Sequence, residues 1–194
     1  FDPLPTFYGT TSPITYQVAD ELGQYANATI TPTVAAPPVP TASPNPSSDA
    51  WDTNQTINPL TNDAAGAVDF PLVATTVKLC GISPAETPNS CTQTTLEVPN
   101  EGTYTVDPTT GVVTFDPLPT FAGTVATVVK YQVSDSLGRV ANSTITPTVV
   151  APPVPTASPN PSSDAWDTNQ TINPLTNDTA GISGVPLVAT TVKL

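Results

Sequence analysis

Short runs of alternating apolar and polar residues, broken by proline, glycine, asparagine and aspartate, fill the middle of this chain. A period of two sends successive side chains to opposite faces of a strand, one towards a core and one towards water. The pattern predicts strands at 54–57, 72–79, 93–98, 103–106, 112–115, 127–134 and 140–149. In VVKYQVS, Val129, Tyr131 and Val133 fall on one face, with Lys130, Gln132 and Ser134 on the other. TYTVDPTTGVVTF reads as a hairpin. Asp107 can accept a backbone bond at the first turn position, Pro108 presets φ, and Gly111 supplies the left-handed residue that lets the return strand pair. DSLG at 135–138 is a second turn. No apolar stripe of helical period runs longer than two turns. About seven strands without a helix predict an all-β fold, a β-sandwich.

The pattern repeats. APPVPTASPNPSSDAWDTNQTINPLTND runs from Ala36 to Asp63 and returns unchanged from Ala151 to Asp178, an offset of 115 residues. FDPLPTF returns at Phe115 after Phe1, TITPTV at Thr144 after Thr29, and PLVATTVKL at Pro186 after Pro71. Fixed-period self-similarity marks an array, and this period is the size of one ordinary domain. Each repeat can therefore own a core. Residues 36–150 form a complete repeat, 1–35 match the end of one, and 151–194 match the beginning of the next. Two origins fit these fragments: a window from a longer polymer, or half-domains completed by another chain.

Within each repeat, 36–50 carries Pro37, Pro38, Pro40, Pro44 and Pro46. Proline fixes φ and removes a donor, so this segment is expected to be a semi-rigid extended connector. Its other reading is a sheet edge, where proline blocks unwanted pairing.

Composition narrows the function. The 25 prolines oppose helix, and only 10% of residues are charged, yet the net charge is −12. In 36–150, ten acids against three bases leave −7 per repeat. That balance excludes a nucleic-acid binder working by phosphate neutralisation and disfavours anionic lipid. No run of 18 apolar residues exists, so no membrane insertion is expected. There is no histidine, nucleophile elbow, phosphate loop or Cys/His pair, so no enzyme is predicted.

Some residues invite a chemical reading. Cys80 and Cys91 flank a loop between two strands, which suits an intradomain disulfide. Free thiols and an interchain bridge are the other readings, and two cysteines without histidine cannot complete a zinc site. Lys78 recurs as Lys193, either as a solvent-facing strand lysine or as half of a Lys–Asn isopeptide bond. Sequons occur at Asn27, Asn54, Asn142, Asn169 and Asn177. Trp51 and Trp166 follow the proline segment. They read as exposed sugar platforms or as plugs sealing an interdomain contact or a sandwich end.

The order TNQTINPLTND, LVATTVKL, VPNEGTYTVDPTTGVVTFDPLPTFAGT and VVKYQVSDSLGRVANSTITPTV resembles the CshA-type fibril repeat of bacterial surface adhesins. The resemblance spans 36–150 and extends to both fragments. It implies tandem immunoglobulin- or cadherin-like β-sandwiches in an extracellular, wall-anchored stalk that projects a separate adhesive head. The expected partners are neighbouring repeats, with self-assembly into fibrils a further possibility. Asn100 stands where that family often has glycine, which puts the geometry of that turn in question. Cadherin-like arrays stiffen their junctions with Ca²⁺ held by oxygens. Asp49, Asp52, Asn62, Asp63 and Asp69, with Asp164, Asp167, Asn177 and Asp178, are candidates for it; Asx turns are the alternative. No other cofactor is expected. The functional readings are a structural stalk, a repeat that itself binds a host glycan or protein, and a self-assembling filament subunit.

Overall fold

A computed structural model describes residues 1–82, 85–87 and 89–193. The complete repeat is a sandwich of two sheets, and its strands follow the alternation. It comprises β5 (Asn45–Ala50), β6 (Gln55–Ile57), β7 (Leu72–Leu79), β8 (Thr95–Val98), β9 (Gly102–Val106), β10 (Val113–Pro117), β11 (Gly123–Thr124), β12 (Val129–Asp135) and β13 (Val140–Val150). Before it stand β1 (Gly9–Thr10), β2 (Ile14–Ala19), β3 (Tyr25–Ile30) and β4 (Thr33–Val34). Helix among the described residues is confined to three 3₁₀ turns of three residues each.

One sheet has the order β6-β10-β9-β8, all antiparallel. The other runs β7-β12-β13, with β11 antiparallel to β13 and β5 parallel to it. Inward residues of both sheets build one core. Val98, Tyr104, Val106, Val113 and Phe115 come from the first, and Val77, Leu79, Val129, Tyr131, Val133, Ile145 and Val149 from the second. Tyr104 and Phe115 are cross-strand partners with ring centroids 4.6 Å apart. Burying each such side chain contributes about 1.5–3 kcal/mol.

The expected turns form. Asp107 Oδ1 accepts the N–H groups of Thr109 and Thr110, which hold its carboxyl below the ordinary value, and Gly111 takes φ +71°. Gly111 also lies where a Cβ would stand 2.7 Å from the Ala74 carbonyl oxygen. There β7 slips against β12, and the Thr76 hydroxyl accepts the Ser134 N–H at 2.8 Å. Asn100 adopts φ +65°, the left-handed region a glycine would use. Asparagine tolerates this region better than most residues, so the β8–β9 turn closes without the glycine.

The proline segment lies along its own sandwich, part of it at a sheet edge. Its second half is β5, hydrogen-bonded along β13 from Asn45 opposite Ile145 to Ala50 opposite Val150. Its first half is seated on its own repeat. Thr41 bridges Ala64, and a Cβ on Gly66 would stand 1.9 Å from the Pro38 carbonyl oxygen. The reason is backbone satisfaction: β13 is longer than the antiparallel strands beside it, and its open edge needs partners. Pro46 is tolerated because β5 is an edge strand.

Candidate functional site: the seat of the proline segment and the Trp51 cleft

Two part-buried polar clusters hold the segment to the sandwich. Tyr131 reaches out of the core from β12, and its side chain is fully buried. Its hydroxyl donates to Asp63 at 2.8 Å and accepts from Asn45 Nδ2 at 3.0 Å. Asp63 accepts the Ser43 N–H at 2.8 Å, and Asn45 Nδ2 also donates to the Ser43 carbonyl. Burial pushes the Asp63 carboxyl above its ordinary range, against the pull of the Ser43 and Tyr131 bonds. Burial, with Asp63 beside it, pushes the Tyr131 phenol up.

The second cluster lies at the β12–β13 turn. Asp135 Oδ1 accepts the N–H groups of Leu137 and Arg139, and Oδ2 accepts Arg139 Nε at 2.8 Å. Burial alone would raise the Asp135 carboxyl, but Arg139 and these bonds hold it below the ordinary value. Arg139 Nη1 then donates to the Pro37 carbonyl at 2.6 Å, and its guanidinium carbon lies 5.7 Å from the Phe70 ring centroid. Alternation alone marks Tyr131 as a core residue. Nothing in the sequence flags the Asp135–Arg139–Pro37 link, which joins residues 102 positions apart.

The next repeat's segment is seated the same way as far as its residues extend. Thr156 bridges Thr179, Asp178 accepts the Ser158 N–H at 2.8 Å, and a Cβ on Gly181 would meet the Pro153 carbonyl at 1.8 Å. Only Ala151 and Pro152 lie between the end of β13 and the Pro153 seat.

Trp51 follows β5, so the parallel pairing carries it to the pole where β13 ends. It packs on the core edge and donates from Nε1 to the Pro119 carbonyl at 2.9 Å. With Pro119 it lines a cleft of about 350 Å³ whose other wall is Pro152, Pro153, Gly181, Ile182 and Leu187. Trp166, at the same repeat position, is 94% exposed.

Cys80 and Cys91 are joined by a disulfide, both halves buried. Residues 83, 84 and 88 of the intervening loop lie outside the described residues. Glu86 closes the loop from within. It accepts the Thr92 hydroxyl at 2.6 Å and the Gly81 N–H at 2.8 Å, bonds that pull its carboxyl down to about 2.

The acids proposed for calcium are dispersed. Asp49 accepts the Ala50 N–H, Asn62 donates to the Pro44 carbonyl, Asp63 belongs to the Tyr131 cluster, and Asp69 is exposed. Among the described residues no group of three or more acidic, cysteine or histidine side chains gathers as a metal site. Lys78 lies opposite Gln132 on β7 and is part-exposed. No described helix is long and apolar enough to cross a membrane.

A two-sheet, all-β sandwich, duplicated in sequence and tied to its own proline segment, defines a tandem-repeat module. Its recurring elements match a known family. The surface adhesin CshA repetitive domain matches residues 37–149, and the chain belongs to that family. No curated protein sequence matches the chain. The family is one of adhesin repeats rather than of enzymes, and a repeat of a surface adhesin works at or beyond the cell surface.

Proposed function

We propose that these repeats act as the stalk of an extracellular adhesin, supplying length and stiffness between a cell-wall anchor and a separate adhesive head. The observation that carries this reading is the short tether. The proline segment is seated on its own sandwich, so two residues separate β13 from the next seat. A flexible linker samples a span that grows with the square root of its length, and two residues, one of them proline, leave little freedom. Charge assists. Each repeat carries −7, but screening over about 8 Å at physiological ionic strength makes repulsion between domain centres the weaker effect. The short tether is therefore the main source of stiffness.

Small-angle scattering on the whole chain tests the reading. The stalk requires one narrow, elongated distance distribution that is unchanged between low salt and 0.5 M salt. A broad distribution typical of freely jointed domains overturns it. Saturable binding of the same chain to a glycan array would favour the repeat as the adhesive element itself.

A further inference from the structure

We propose that Trp51 and Pro119 form a docking face for the following repeat, and that the loop at 180–187 of that repeat is its occupant. Three observations carry it. The first is position. The parallel β5–β13 pairing brings Trp51 to the pole where the chain leaves the sandwich, and the indole is locked there by its bond to the Pro119 carbonyl. A rigid indole needs no further ordering to bind, so little side-chain entropy opposes the contact. The second is chemistry. The cleft wall opposite Trp51 is proline, glycine, isoleucine and leucine, an apolar surface that gains by covering an aromatic face. The loop is held in place by its own repeat, because Gly181 packs against the Pro153 carbonyl where no Cβ fits.

The third observation is a division of labour in the sequence. Trp51 lies in the block that recurs without change, and the unbroken identity pauses after Asp63 and Asp178 until Pro71 and Pro186. The loop follows at once, and it differs at 182–185. Ala67 and Phe70 of the complete repeat become Ile182 and Val185 in the next. Ile182 and Val185 both line the Trp51 cleft. A constant face thus meets a variable loop. Each downstream loop sets the packing, and with it the angle, of its own joint.

The test uses the whole chain with Trp166→Phe, which leaves Trp51 as the only indole. Its emission should be blue-shifted and resistant to acrylamide. Ile182→Asp, which puts a charge in the cleft, should raise the quenching constant at least two-fold and shift emission to the red, with the main thermal transition unchanged. Equal quenching with and without I182D overturns the proposal. A second measurement guards against misfolding of the variant. In the unsubstituted chain, nuclear Overhauser contacts should link the Trp51 indole to the Ile182 methyls, and their absence also overturns it. The joint and the stalk reading fail separately. Contacts present with a broad scattering distribution would keep the docking face and reject the stiff stalk.

Discussion

The Tyr131 hydroxyl stands 2.8 Å from the Asp63 carboxylate, linking the central strand of one sheet to the start of the repeat across 68 positions. The same hydroxyl meets Asn45 on β5, so one phenol ties the core to the proline segment.

Replacing Tyr131 with phenylalanine keeps the ring and removes one donor from the Asp63 carboxylate, leaving it the Ser43 N–H. A hydrogen bond to a charged group contributes about 1.5–3 kcal/mol. Urea denaturation of Y131F should show a lower midpoint at unchanged slope, equivalent to a loss of stability of that size. Amide exchange at Ser43 and neighbouring residues should accelerate more than exchange in β9 and β10.

Arg139→Gln removes the partner of Asp135, whose side chain is fully buried. Breaking a buried pair from one side costs about 3–5 kcal/mol, because an uncompensated charge remains. The preceding copy carries Gln24 at this position, while Asp20 still accepts the N–H groups of residues 22 and 24. The turn should therefore survive in R139Q. The loss should appear as a lower melting temperature and as freer exchange near Pro37, not as a changed β12–β13 register.

The acid limb of stability has a named contributor. The Glu86 carboxyl is held at about 2 in the folded state against an ordinary 4.5, chiefly by the Thr92 hydroxyl. A depressed acid contributes fully above its unfolded value and loses that contribution as pH falls towards its folded one. Melting temperature should therefore fall between about pH 4.5 and 2, and E86Q should flatten part of that slope. Asp107 and Asp135 act in the same sense. Asp63 acts oppositely, since burial raises it and protonation relieves its desolvation.

The Cys80–Cys91 bridge spans 11 positions. In the chain-entropy picture closing such a loop contributes about 3 kcal/mol. The C80A/C91A chain should melt lower by a corresponding amount and keep its far-ultraviolet spectrum. No loss on removing the bridge would show that the Glu86 bonds alone hold the loop.

Gly66→Ala would thrust a methyl into the Pro38 carbonyl. Overpacking of this kind costs about 1–3 kcal/mol. Limited proteolysis should then cut G66A within the 37–43 segment before it cuts the sandwich, releasing a part that is protected in the parent.

Alternation, turn chemistry and repetition determined much of this protein from the sequence alone. They predicted seven strands at positions where strands form, the Asp107–Gly111 hairpin, the helix-free class and the family. All of these are local patterns or copies of local patterns, so the chain announces them directly. The disulfide stood among open alternatives, and tertiary structure selected it. Tertiary structure also decided that Asn45–Ala50, a polar stretch with a proline and no apolar alternation, becomes a strand. It decided that Arg139 grips Pro37, and that the Trp51 indole donates to the Pro119 carbonyl. The physical reason is distance along the chain. The open edge of β13 recruits a parallel partner a hundred residues away, and Arg139 meets a carbonyl 102 positions back, so proline spacing allowed a sheet-edge reading of the segment but no local pattern named either partner.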